Sequence, residues 1–414
     1  MDVQRTFRLK TRRIRSYRSN YANLAAIMTI QNRTLPLASL FRGSVTDLLH
    51  PPQGQIPFLD ALRTIAVLLV INGHLTVKFV ESFGSNLYSR IPFVANGWIG
   101  VDLFFILSGF FIGGQLWKEL QKTGTVRVGR FILRRGFRIW PLYFSVFICV
   151  SLISFLFGNG TSAKEFGWSD LVFITNYHNR GIVMGSWSLC TEEQFYIGAP
   201  VILFLWGPRM PSLSRFRTWL WSLMLAVLLL RIAIWTFVTG SFFAHNSGLF
   251  SWIYYASITH CDGLVMGMII SNLWVLKESS GRWRAKPAIL LAVATGILVL
   301  GHIIQKETMD FTILALWFGA ITWFGLQRRF AIFNSRIFYW FSRLSFGMYL
   351  NHEYMIPWII RSILPRIQFL ANFHIGLNLA GVVLLVCMSA GISIVTFCCI
   401  EYPFLQLRKA LLFH

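Results

Sequence analysis

RTIAVLLVINGH, Arg63 to His74, is the stretch on which the reading of this chain turns. An arginine opens an apolar run, a histidine closes it, and Asp60 stands one turn before the arginine. The run is membrane-type helix, where ionisable groups are costly and usually have a task. Eleven residues at about 100° each return to within ~20° of the same helix face. At about 1.5 Å per residue the two side chains stand ~16 Å apart, around half the hydrocarbon core. Asp60, three residues ahead of Arg63, is spaced to pair with it. The plainer alternative is a snorkelling arginine and a structural, hydrogen-bonded histidine. Their shared face counts against it.

The rest of the chain is of the same kind. Of 414 residues 55% are hydrophobic and 13% charged, against about 25% charged in an ordinary soluble domain. Mean hydropathy is +0.58. The expectation is an all-α fold, a polytopic membrane bundle of about ten transmembrane helices, at 57–78, 93–115, 139–157, 187–206, 218–238, 251–274, 287–304, 309–326, 337–360 and 375–400. The net charge of +22 falls mainly in alternate loops, as the positive-inside rule requires of a multi-pass protein with both termini cytoplasmic. Arg361 and Arg366 depart from that pattern. No nucleic-acid-binding module accompanies the charge, so nucleic acid is excluded as a partner and membrane lipid is expected. The six cysteines lie in apolar segments without metal or disulfide spacing.

Residues 1–54 read as a basic, disordered cytoplasmic arm, and Met28 as an alternative start would leave the membrane region whole. Residues 55–405 form the membrane domain and 406–414 a short basic cytoplasmic tail. No further soluble domain is expected after the last helix.

Two more constellations stand out. SWSLCTEEQFY, Ser186 to Tyr196, places Glu192 and Glu193 early in a span, at a depth matching His74. A carboxylate beside a histidine orients the ring and raises its basicity, which suits a base acting on a hydroxyl. Adjacent residues point to different helix faces, so only one glutamate is expected to be the partner. RRGFRIWP, Arg134 to Pro141, sets Arg135 and Arg138 three apart at a cytoplasmic helix start, a two-pronged cation suited to phosphates. Positive-inside topology explains those arginines equally well. Asp262, His352 and Glu401 are further ionisable groups in or near spans. LSGFFIGG, Leu107 to Gly114, reads as close helix packing rather than a phosphate loop. There is no HExxH zinc motif, no Walker loop and no GxSxG elbow, and no metal is expected.

Taken in order, these motifs resemble the membrane-bound acyltransferase 3 family, of the O-antigen and exopolysaccharide O-acetyltransferase type. The likeness covers residues 55–405: FLDALRTIAVLLVINGH, GWIGVDLFFILSGFFI, LRRGFRIWPLY, SWSLCTEEQFY, LSFGMYLNH and EYPF. The resemblance implies acetyl-CoA or another acyl-CoA as cytoplasmic donor. The implied acceptor is a surface or secreted carbohydrate, a glycan or glycolipid such as lipopolysaccharide or exopolysaccharide. It also implies Arg63 and His74 as the essential pair, Arg135 and Arg138 on the donor side, and Glu192 in the catalytic set. Cys190-Thr191 replaces the usual Ser-Val, and His260 stands where an arginine is common.

The expected function is thus acyl transfer in the inner (plasma) membrane, His74 acting as general base with Glu192 close beside it. Asp60, Glu193, Asp262 and His352 are further candidates. The alternative is a proton-coupled transporter, since buried His, Glu and Asp also build proton relays.

Overall fold

A computed structural model describes residues 37–412 except 53, 92–93, 95, 159–160, 179–180, 210–211, 242–245, 281–294, 296–308, 329 and 368–373. Most of the basic arm and the span expected at 287–304 lie outside the described residues. Within the stretch expected as a basic arm, Leu37–Leu49 is a helix, α1. The chain divides into two units, residues 1–46 and 47–414, and the second carries everything that follows.

Among the described residues there is no strand. The principal helices are α2 Pro57–Phe83, α3 Ile99–Thr123, α4 Val128–Phe157, α5 Thr161–Leu171, α6 Ser186–Trp206 and α7 Leu213–Thr239. They continue with α8 Ser247–Tyr255, α9 Asp262–Ser280, α10 Asp310–Leu326, α11 Arg336–Trp358, α12 His374–Thr396 and α13 Tyr402–Leu412. Pro57, which has no N–H to leave unsatisfied, starts α2, and Gly84 at φ 84° ends it.

Among the described residues five helices are long and apolar enough to cross a membrane: Pro57–Phe83, Ile99–Thr123, Val128–Phe157, Leu213–Thr239 and Ile375–Leu412. The last runs through a π-turn at Phe397–Glu401. Asp262–Leu276 and Asp310–Leu326 are shorter apolar helices. Helices α6 and α11 have the length, 21 and 23 residues, but their polar side chains dilute the apolar run. The span expected at 251–274 is corrected: it is two helices, separated by turns from Ala256 to Cys261. The span expected at 139–157 begins earlier, at Val128, so the paired arginines lie within a helix rather than before it.

Burial orders the bundle. The apolar windows of α2 and α3 are 61% and 72% buried, those of α4 and α7 only 17% and 22%, so α2 and α3 are central and α4 and α7 peripheral. Outward apolar side chains such as Phe157 and Phe237 suit a lipid surround. Helices α3 and α9 cross closely on glycines from both. A Cβ on Gly109 would lie 2.1 Å from the Leu264 carbonyl oxygen, and one on Gly267 2.2 Å from that of Ile106. The glycines of LSGFFIGG therefore do what small residues do between membrane helices. Helix α11 lies parallel to α2. Near one end Ser342 donates to Asp60 Oδ1 at 2.6 Å, and near the other His352 meets His74.

Candidate active site

At the Arg63 end of α2 a cavity of about 100 Å3, partly open to solvent, is bounded by six helices and the π-turn. Its charged lining is Arg63 from α2, Arg135 and Arg138 from α4, Arg343 from α11, Glu192 from α6 and Glu401 from the π-turn. Four guanidinium groups against two carboxylates leave two positive charges uncompensated among the lining residues. Aromatic faces brace the cations: Arg63 lies 5.1 Å from the Phe111 ring centroid, Arg135 5.7 Å from that of Tyr196, and Arg343 5.0 Å from that of Phe397. Arg343 also donates through Nε to Asp47 at 3.0 Å. Arg135 Nη2 is buried without a protein acceptor, and Glu401 Oε1 is buried without a donor. Converging guanidinium forks with unspent donors fit an anionic, phosphate-bearing ligand.

Asp60 does not form the ion pair with Arg63 that its spacing suggests. Its carboxylate instead accepts from Ser342 and from Gln55, which precedes α2. Glu192 accepts from Ser108 Oγ at 2.9 Å and from Tyr196 OH, and it lies in the field of Arg63 and Arg135. Glu193 faces away from the cavity, is 2% exposed, and accepts from Trp140 Nε1 at 3.1 Å.

The other end of α2 is built differently. His74 Nδ1 is 2.9 Å from His352 Nε2 and 3.2 Å from Glu353 Oε1. The side chains of His74 and Glu353 are 39% and 25% exposed, whereas His352 is buried. Glu192 is not within ion-pair distance of His74, so the expected approach of these two residues is corrected. Similar depth on neighbouring helices did not bring them together, because Glu192 turns towards the arginines. The carboxylate beside His74 is Glu353, which the sequence reading passed over although it adjoins His352.

Between the two ends stands Tyr349, which lines the cavity one turn before His352. Its hydroxyl shares a hydrogen bond of 2.5 Å with Ser188 and donates to the Gly185 carbonyl at 3.1 Å. Gly185 opens α6 at φ 67°, and a Cβ there would lie 3.0 Å from Glu353 Oε1. Only glycine meets both demands without strain.

His74, His352 and Glu353 each offer a ligand atom, all within 4.8 Å of one another, as a three-ligand metal site would need. Their orientation argues otherwise. The two rings are 9° from parallel with centroids 5.1 Å apart, which is the separation of imidazoles joined edge to edge by one N–H···N bond. Lone pairs aimed along one shared line do not converge on a third point.

Asp262 is a different case. It is completely buried and held by Arg231, Nη1 at 2.6 Å and Nη2 at 3.0 Å, away from both the cavity lining and the histidine pair. His260, which stands where the resemblance places an arginine, is also fully buried, with Nε2 2.9 Å from Asp102 and Nδ1 2.7 Å from the Tyr254 carbonyl.

A helical membrane bundle with an arginine-lined cavity at one end of its central helix and a histidine pair at the other defines the class. The family model described as an acyltransferase domain matches residues 56–398, and the chain belongs to that family, acyltransferase 3. The peptidoglycan O-acetyltransferase OatA of Listeria monocytogenes is 26% identical over 269 residues, 60% of this chain and 39% of that protein. A Staphylococcus aureus (strain COL) protein named provisionally as an O-acetyltransferase is 28% identical over 233 residues, 53% of this chain and 35% of its own. YrhL of Bacillus subtilis, named provisionally as a peptidoglycan O-acetyltransferase, is 28% identical over 247 residues, 56% and 35% respectively. The chain thus spans well under half the length of these curated relatives. No solved structure matches it.

Proposed function

We propose that the protein is an integral-membrane O-acyltransferase, carrying an acyl group, by default acetyl, from cytoplasmic acyl-CoA to a hydroxyl of an extracytoplasmic glycan or glycolipid. The observation that carries this reading is the division of labour along α2: a guanidinium-lined cavity at Arg63 and a hydrogen-bonded imidazole eleven residues on at His74. Family membership and the O-acetyltransferase names of its relatives support it.

In this reading Arg63, Arg135, Arg138 and Arg343 hold the phosphates of the donor. The acyl-bearing end extends past Tyr349 towards His74, a distance of ~16 Å along the helix. His74 Nε2 takes the proton of the acceptor hydroxyl as its oxygen attacks the thioester carbonyl. The carbon–sulfur bond breaks, and the same imidazole returns the proton to the leaving thiolate, giving ester and free thiol. The orientation that goes with this is Arg63 towards the cytoplasm and His74 towards the outer half of the inner membrane, both termini being cytoplasmic. A peptidoglycan-like acceptor joins lipopolysaccharide and exopolysaccharide among the glycans to test.

The test uses inside-out membrane vesicles given labelled acetyl-CoA. Label should appear on lumenal glycan with the wild type and not with His74→Ala. Transfer that survives in His74→Ala would remove the base role. Proton-coupled solute movement without transfer would favour a transporter.

A further inference from the structure

We infer that Glu353 is the positioning residue for His74, acting with His352 to fix the proton on His74 Nδ1 and to balance the charge that His74 acquires. The inference deepens the acyl-transfer reading and rests on it.

The argument is one of donors and acceptors. His352 Nδ1 lies 2.8 Å from the Tyr349 carbonyl and 3.2 Å from that of Met348. A carbonyl oxygen only accepts, so Nδ1 carries the hydrogen and the lone pair of neutral His352 is on Nε2. That lone pair faces His74 Nδ1 at 2.9 Å in nearly coplanar rings. Glu353 Oε1 stands 3.2 Å from the same nitrogen, at ion-pair distance beside that bond. His74 Nδ1 must therefore donate, and its Nε2 keeps the lone pair that a base needs.

The two partners do different things. His352 is buried and held by the backbone of its own helix, so it selects the tautomer. Being neutral, it offers no counter-charge when Nε2 takes up a proton. The Glu353 carboxylate does, at ion-pair distance, in the role that a buried aspartate plays in a Ser-His-Asp triad. Gly185, lacking a Cβ, leaves room for that carboxylate.

Among the described residues, His352 and Glu353 of α11 are the titratable groups facing His74. Lys78 and Glu81, farther along α2, pair with each other at 2.8 Å. Tyr88 bonds Asn72 and flanks the same helix. Tyr349 and Tyr354 flank Glu353 on α11, their hydroxyls engaged with Ser188 and the Met184 amide. On α3, Asp102 is committed to His260. On α12 the neighbouring polar group is Asn378, bonded to Thr76.

The experiment compares full-length wild type with Glu353→Gln and Glu353→Asp in vesicles and in detergent. Glutamine keeps an acceptor oxygen and loses the charge. Its kcat should fall about 10–100-fold with KM for acetyl-CoA changed less than about twofold. The acid limb of its pH–rate profile should move about one unit lower, because an opposite charge within ~4–6 Å favours the charged form. Aspartate should recover part of the rate. A second readout is independent of turnover: diethylpyrocarbonate modification of His74 against pH, followed by mass spectrometry of its peptide. In Glu353→Gln modification should begin at lower pH by a similar shift. An unshifted acid limb and an unshifted modification profile would overturn the inference, as would aspartate behaving no better than glutamine. If the wild type transfers no acyl group, the functional reading fails, and the modification profile alone decides whether Glu353 controls His74.

Discussion

Replacing Asp262 by asparagine should destabilise the protein far more than replacing it together with Arg231. Both side chains are 0% exposed. The guanidinium is held by the two Asp262 oxygens at 2.6 and 3.0 Å, by the Thr259 carbonyl at 2.6 Å, and by Thr312. In Asp262→Asn one of the two accepting oxygens becomes an NH2 that cannot accept from the guanidinium, and a buried cation loses its counter-charge. Breaking one side of such a pair costs about 3–5 kcal/mol, whereas exchanging both partners for apolar groups of similar volume is near neutral or stabilising. For a chain of this size that cost corresponds to a fall of about 3–6 °C in apparent melting temperature. The assay is the fraction still monodisperse by size-exclusion chromatography after a heating series in detergent, with acetyl transfer measured on the same preparations. Arg231→Met/Asp262→Leu should melt no more than about 1 °C below wild type and retain transfer. A single variant as stable as wild type would refute the reasoning, and so would a double variant as unstable as the single. A stable but inactive double variant would return Asp262 to the chemistry.

Further outcomes follow from the same geometry. His74→Ala should lower kcat about 100- to 10,000-fold while acetyl-CoA still binds, measured by equilibrium binding to purified protein. Arg138→Gln should raise KM for acetyl-CoA about 10–100-fold, the worth of one charge-assisted hydrogen bond, and weaken the salt dependence of binding. Gly109→Val should cost about 1–3 kcal/mol or more in the heating series, because its Cβ would meet the Leu264 carbonyl at 2.1 Å. Gly198→Ala, where an added Cβ meets nothing within 4 Å, is the control and should be at least as stable as wild type.

Much of the arginine-lined cavity was legible in the sequence. Arg63, Arg135 and Arg138 are singled out there, and the structure brings all three to one cavity, because an apolar span leaves few places for a guanidinium except an internal polar space. Arg343 was missed: it stands near a helix start, where a positive-inside arginine is expected and attracts no notice. Arg231 was missed for the opposite reason. It is a lone charge in the apolar run of α7, and its meaning depends on Asp262 thirty-one residues later. The acidic partner of His74 was misassigned because depth in a helix says nothing about which way the helix is turned. Glu353 follows His352 directly, yet only the rotation of α11 against α2 shows that both residues reach the same imidazole nitrogen.

The sequence by itself determined that this chain is an all-helical membrane protein of its family, and that a cation and an imidazole share one face of α2 about half a membrane apart. Periodicity and hydropathy act within single helices, so they are readable residue by residue. The tertiary structure decided the pairings: Asp262 with Arg231, Glu192 with Ser108 and Tyr196 in the field of the arginines, and His74 with His352 and Glu353. Those depend on helix rotation and crossing, which are set by contacts between segments hundreds of residues apart, such as the packing of α11 along α2.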